Sequence, residues 1–301
     1  MKVLCAVDGS EFSQWAVEAI GTLGRSALSS VTLLHVLDTR HLKPTGAPHV
    51  ATYRGVKAAM EKSGDAVLRR ATGYLETALS QSAKRPRTDV RALLLHGAPA
   101  STIVQRATQD GSDLIILGTR GMSDIKGFLL GSVARKVASL APCPVLIVKH
   151  PMHQLRRVLL AVDDSKHSRK AAKFLRAGLL PETAEVTVFS SVMSPFTDLA
   201  AGYLSESQRE TLVRPQIAQA ERLVAGVRQD FLKEGYAVFT DVQQNHIVDH
   251  IMKRADAGLT DLLVVGARGL SNRERLQLGS ISDSLLRHAP CSILIVRGAR
   301  G

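Results

Sequence analysis

The chain is written twice, and nothing else in it restricts the possible folds as strongly. Lys2-Val3-Leu4-Cys5-Ala6-Val7-Asp8-Gly9-Ser10 matches Arg157-Val158-Leu159-Leu160-Ala161-Val162-Asp163-Asp164-Ser165 at six of nine positions, 155 residues apart. Residues 113–148 match 261–296 at an offset of 148, without a gap and with 15 of 36 positions identical. With domains near 150 residues as the common size, 301 residues then read as one domain duplicated. The halves are 1–150 and 151–301, joined near His150-Pro151-Met152-His153. The offset falls by seven between the matched blocks, so the first half holds a longer connection, placed here at His41–Arg54.

Each half alternates two kinds of segment. Val3–Val7, Val31–Val36, Val90–Leu95, Leu114–Leu117 and Val145–Val148 are short apolar runs, the pattern of strands buried on both faces of a parallel sheet. Between them apolar residues fall at helical spacing, as in Phe12, Ala16, Ala19, Ile20 and Leu23. Ser10, Ser132 and Ser165 are candidate helix caps, and a long helix is expected around Glu206–Lys233. Five strands alternating with four helices per half predict an α/β fold of two tandem doubly wound domains.

A glycine pattern also occurs twice. Gly118-Thr119-Arg120-Gly121 follows a strand, and nine residues later Gly131-Ser132 opens a helix. Gly266-Ala267-Arg268-Gly269 and Gly279-Ser280 repeat that spacing. Glycines let a backbone approach a ligand closely, and a helix N-terminus with exposed N–H groups suits phosphate. Asp8 and Asp163 end the first strands, where a carboxylate could accept from ribose hydroxyls or help hold a divalent cation. The plain alternative is that the glycines only shape a strand-to-helix loop. The pattern is neither a Walker A loop nor the dinucleotide Gly-x-Gly-x-x-Gly.

Taken with Val-Asp-Gly-Ser near the start and Ala141-Pro142-Cys143-Pro144 before a Val-Leu-Ile-Val strand, this spacing resembles the universal stress protein family over nearly the whole chain. The resemblance implies five-stranded parallel sheets of order 3-2-1-4-5 and ATP binding, with Mg2+ as an optional companion. It places Asp8 and Asp163 at ribose and phosphate, and Val36 and Val192 at adenine through their backbones. Gly118, Gly121, Gly131, Ser132 and their counterparts Gly266, Gly269, Gly279 and Ser280 would hold the phosphates. It also implies pairing of the two halves through their last strands, with a homodimer as a further option. The expected role is a cytoplasmic stress-response regulator acting on an unidentified protein partner, with slow ATP hydrolysis at most.

The copies differ where this matters. His96-Gly97-Ala98-Pro99 becomes Gln244-Asn245-His246-Ile247, Gly9 becomes Asp164, and Lys126-Gly127 becomes Glu274-Arg275 beside Arg273. The first site is therefore expected to be the stronger. Arg120 and Arg268 either bridge phosphates or stay solvated. His246 and His250 have a metal-like spacing but no third ligand in sequence, and Cys5, Cys143 and Cys291 read as core residues. Lys84-Arg85-Pro86-Arg87 reads as a solvated basic cluster at a helix end.

Composition enters last. The net charge of +12, divided as +8 in 1–150 and +4 in 151–301, admits a nucleic-acid-binding alternative. Against it stand 4% aromatic residues and no recognised nucleic-acid motif. No apolar run approaches the roughly 18 residues of a membrane span, and the early Asp8 argues against a signal peptide. No Ser/His/Asp order or carboxylate pair marks a hydrolytic centre.

Overall fold

The computed structural model describes residues 1–24, 28–40, 50–80, 88–121, 130–193, 203, 205–255, 259–269 and 278–297. The chain forms two compact units, built on Met1–Gln154 and Leu155–Cys291. Both have the same order of elements. The first runs β1 (Lys2–Ala6), α1 (Glu11–Ala19), β2 (Ser30–Leu37), α2 (Val50–Ser80), β3 (Asp89–His96), α3 (Pro99–Asp110), β4 (Leu114–Gly118), α4 (Ser132–Leu140) and β5 (Val145–Val148). The second runs β6 (Arg157–Ala161), α5 (Lys166–Phe174), β7 (Glu185–Val192), α6 (Glu206–Leu232), β8 (Ala237–Gln244), α7 (Ile247–Arg254), β9 (Leu262–Gly266), α8 (Ser280–His288) and β10 (Ser292–Val296).

The first half's strands lie in the order 3-2-1-4-5, and the second half's in the equivalent order 8-7-6-9-10. The pairs β1–β2, β1–β4, β2–β3 and β4–β5 of the first half, and β6–β7, β6–β9 and β7–β8 of the second, are parallel. The apolar runs explain this arrangement. β4, β5 and β10 are buried along their whole lengths, as strands covered by helices on both faces must be. β3 and β8 are mostly exposed or half-buried and lie at the outer ends of their halves' orders. Leu4, Leu33, Ile115 and Leu146 in the first half, and Phe189 and Phe231 in the second, are fully buried.

Register locates the extra chain of the first half. β1 aligns Lys2 with Ser30, and β6 aligns Arg157 with Glu185, so the offset of 155 persists through β2 and β7. Asp89 and Ala237 open β3 and β8 at an offset of 148. The seven residues therefore lie between β2 and β3. Residues 41–49 of the expected loop are outside the described residues, while 50–54 belong to helix α2, which at 31 residues is longer than the 27 of α6.

Ser10 and Ser165 cap α1 and α5 as expected, accepting from Ser13 and Ser168 N–H groups. Ser132 does not cap α4. Gly131 holds that position in an extended conformation, and Ser132 is the first helical residue. A glycine cap has no side chain to satisfy the first-turn donors. Among the described residues, no helix is long and apolar enough to cross a membrane.

Candidate functional site

The same corner is built in each half, at the C-terminal ends of the first and fourth strands, where doubly wound sheets bind ligands. Beyond β1, Asp8 Oδ1 accepts the Ser10 N–H at 3.0 Å and the Ser10 hydroxyl at 2.6 Å. This leaves the tight turn to Gly9, at φ 85°. In the second half Asp163 Oδ1 accepts the Ser165 N–H at 3.1 Å, and Ser165 Oγ donates to the Arg268 carbonyl at 3.2 Å. The second turn is thereby tied directly to its glycine loop.

Gly118 and Gly266 have a packing reason to be glycine. A Cβ on Gly118 would lie 2.6–2.7 Å from Phe12 atoms, including its carbonyl group, at the start of α1. On Gly266 it would lie 2.8–2.9 Å from His167 and Ser168 atoms. Gly269 faces the site instead, where an added Cβ would meet Asp163 Oδ2 at 2.7 Å. The ends of the loop are tied by the same two bonds in both halves. Thr119 N–H donates to the Val148 carbonyl at 2.9 Å, and Gly131 N–H to the Thr119 carbonyl at 2.8 Å. Ala267 donates to Val296 at 2.8 Å, and Gly279 to Ala267 at 2.9 Å. These bonds deliver the starts of α4 and α8 beside the strand ends with no side-chain cap on either helix. Such helix starts attract anions through unsatisfied N–H groups and the helix dipole.

Arginine 120 is not simply solvated. Its guanidinium lies over the Phe12 ring at 5.6 Å, and its Nε is buried with no hydrogen-bond partner among the described residues. A buried donor left unpaired is costly and calls for an acceptor. At the position of Phe12 the second half has His167, which is flanked by Arg268, Lys170, Arg297 and Asp163. Burial first, and then the three cations, hold this imidazole below its ordinary pKa, with Asp163 acting the other way.

That shift has a definite sign. The unfolded chain takes up a proton near pH 6.5 that folded His167 resists, so this residue withdraws stability as pH falls through the ordinary histidine range. An anion bound among these cations would offset their effect on the imidazole and would be taken up together with part of a proton. Anion binding to the second half is therefore expected to strengthen as pH falls from 8 to 6. His167→Phe should remove that dependence, measured by calorimetry in buffers of different ionisation enthalpy. A pH-independent second site in the unaltered protein would contradict it.

Other substitutions between the halves also have structural consequences. Asp164 adopts φ 60° in place of Gly9, and its charge is met by Arg169 at 2.5 Å. Gly97, at φ 145°, is replaced by Asn245 at φ 56°, and His246 follows at φ 41°. Two successive non-glycine residues in the left-handed region cost about 1 kcal/mol each. Val36 and Val192 are not equivalent positions. Gly97 N–H bonds to the Leu37 carbonyl and Asn245 N–H to the Val192 carbonyl, which makes Leu37 the counterpart of Val192.

The structure thus gathers Asp163, Arg268, Gly269 and Gly279 at one corner, and places Asp8, Gly131 and Ser132 on the equivalent elements of the first half. Val36 lies one strand away, on β2. The pairing of Phe12 with Arg120, and its replacement by His167, did not emerge from motif spacing. Aligning the halves residue by residue beyond the matched nine reveals the replacement, though not the contact. Lys126-Gly127, Arg273, Glu274-Arg275 and the cluster at Lys84 lie outside the described residues. His246 and Asp249 stand 3.7 Å apart with side chains 76% and 69% exposed. Among the described residues no group of three or more His, Cys, Asp or Glu could hold a metal. Cys5 and Cys143 are buried, and burial pushes each thiol up to about 12, far from reactive thiolates.

Comparison with known proteins bears on the family and the fold. The family model described as "Universal stress protein family" matches residues 1–149 and again 154–297. Universal stress protein YxiE of Bacillus subtilis is 32% identical over 153 residues, covering 49% of this chain and 98% of its own length. A universal stress protein structure from Archaeoglobus fulgidus covers 98% of both chains with a TM-score of 0.66 at 22% identity, a likeness of fold. A universal stress protein crystallised in complex with cAMP covers 50% of this chain and 96% of its own, at 26% identity and a TM-score of 0.34.

Proposed function

This chain belongs to the universal stress protein family, as two tandem domains, and from that premise we propose that it binds ATP at the glycine loop of its first half. The second half binds more weakly, and the protein acts in stress response through nucleotide-dependent association with a partner protein rather than fast turnover. The observation that carries this reading is the buried Nε–H of Arg120, without a partner among the described residues, ahead of a helix start without a side-chain cap. Both features call for an anion with several acceptor oxygens, which a polyphosphate supplies.

The residues of the first half fit that ligand. The amides opening α4, together with Ser132, would take phosphate oxygens and Arg120 would neutralise them, while Asp8 lies near enough to the corner to accept from the ribose. The base would lie toward the end of β2, at Val36 and Leu37. ATP brings phosphate charge, and a Mg2+ ion arriving with it would draw most of its ligands from phosphate oxygens, with Asp8 the carboxylate at hand. The excess of +8 in the first half is a favourable background for such a ligand. The sequence marks no dedicated base of the kind rapid hydrolysis would need. In the second half Asp164 places a carboxylate at the turn where the first half has Gly9, so a polyphosphate meets added negative charge there.

The test is extraction of bound nucleotide followed by calorimetric titration with ATP and, separately, cAMP. One tight equivalent of ATP per chain and a second, weaker one are expected. Two equal equivalents would remove the asymmetry, and no binding of either nucleotide would overturn the reading.

A further inference from the structure

The halves also diverge on the outer face formed by their first two helices. Gly21, just beyond α1, meets α2 so closely that an added Cβ would lie 2.8–2.9 Å from Ala78. A cavity between these helices, lined by Val17 and Tyr74, measures only about 140 Å3. At the offset of 155, the counterpart of Gly21 is Arg176, and there α5 and α6 border a groove of about 810 Å3. Arg176 reaches across it, donating to Glu234 at 2.8 Å and Asp230 at 2.9 Å. Ala172 replaces Val17 on one wall, and a Cβ on Gly226 of the other would meet nothing within 4 Å.

Charge changes together with shape. Gln14 becomes Arg169 and Glu18 becomes Lys173, turning the α5 wall cationic. Arg169 is committed to Asp164, and Arg176 to its two carboxylates. Lys173 on α5 and Arg222 on α6 are exposed and form no ion pair or hydrogen bond among the described residues. The groove therefore combines small apolar residues on both walls with two available cations, one per helix. Its volume falls within the roughly 300–1,000 Å3 typical of small-molecule sites.

We propose that this groove binds a small amphiphilic anion, a single carboxylate head on an apolar chain, as in medium-chain fatty carboxylates. Lys173 and Arg222 hold the head, and the surface around Ala172 and Gly226 takes the chain. Arg176 engages both Asp230 and Glu234 in the same groove, which confines the available positive charge to Lys173 and Arg222 and suits a single-headed anion better than an extended polyanion. The site is separate from the glycine loops and stands whether or not they bind nucleotide.

The experiment is fluorescence titration of the full chain with 8-anilinonaphthalene-1-sulfonate, followed by displacement with dodecanoate, dodecanol and polyglutamate. Expected are one equivalent of probe, displacement by dodecanoate at least tenfold better than by dodecanol, and none by polyglutamate. Reversing both cations (Lys173→Glu with Arg222→Glu) should weaken the probe at least tenfold. Gly226→Leu should do the same by filling the groove, while removing a glycine from a helix interior and so preserving the fold. The same charge reversal on α2, Lys62→Glu with Arg69→Glu, should leave binding unchanged. Unaltered affinity in either groove variant, equal loss in the α2 control, or displacement by polyglutamate would each overturn the proposal.

Discussion

Gly131→Asp should leave the protein as stable as before while weakening nucleotide binding about a hundredfold. Gly131 caps α4 with φ −69° and ψ 153°, a conformation aspartate adopts readily. Its counterpart Gly279 shows that a Cβ is tolerated, since the nearest atom to an added one is Arg268 Cα at 3.4 Å. An aspartate there accepts from the first-turn N–H groups and improves helix stability by a few tenths of a kcal/mol. The same donors are then lost to phosphate, and a like charge is placed near it. Two unit charges 4 Å apart at an effective dielectric near 20 repel by about 4 kcal/mol, and even three-quarters of that exceeds a hundredfold in affinity. Urea melts and calorimetric titration on one sample measure both quantities. Because stability and binding move independently, loss of binding cannot be credited to unfolding. Unchanged ATP affinity would remove α4 from the site.

Gly118→Val makes the opposite kind of test. Its Cβ would lie 2.6–2.7 Å from Phe12 atoms, and the Phe12 main chain cannot move without shifting the whole start of α1. Overpacking typically costs about 1–3 kcal/mol, and a backbone collision with two further methyls belongs at or above the top of that range. A loss of about 3 kcal/mol in the denaturant midpoint analysis is expected, with Gly266→Val somewhat milder because its closest contacts are 2.8–2.9 Å. Full stability of Gly118→Val would show that α1 yields easily. The two glycines occur in one motif, yet substitution at Gly118 tests packing and substitution at Gly131 tests the ligand. Loss of nucleotide in a Gly118 variant alone would not identify a phosphate contact.

Most of the fold was legible because buried parallel strands are continuous apolar runs. Leu114–Leu117 and Val145–Val148 are as buried as such runs should be. Ser10 and Ser165 were legible as caps because each precedes an apolar periodicity and can fold its hydroxyl back locally. Ser132 was misplaced by one residue, since serine is the stronger cap by type while Gly131 is the one tied to Thr119. That tie is between the ends of different elements, which local preference does not contain. The pairing of Val36 with Val192 slipped by one residue for a related reason, as both are valines near a strand end and only the ladder reveals that β2 continues to Leu37.

The sequence by itself determined the duplication, the fold class, the strand-helix alternation and the positions of the glycine loops. Each of these is written in spacing along the chain, which hydrophobic periodicity and backbone freedom convert directly into local structure. Only the tertiary structure decided what individual residues in those loops do. It separated Gly118, which makes room for α1, from Gly131, which opens a helix without a side-chain cap. It placed Arg120 on Phe12 and set His167 among cations at the same point of the second half. It also opened a groove where Gly21 became Arg176. The physical reason is common to all of them. Each depends on the distance between groups brought together from different elements, and sequence spacing carries no such distance.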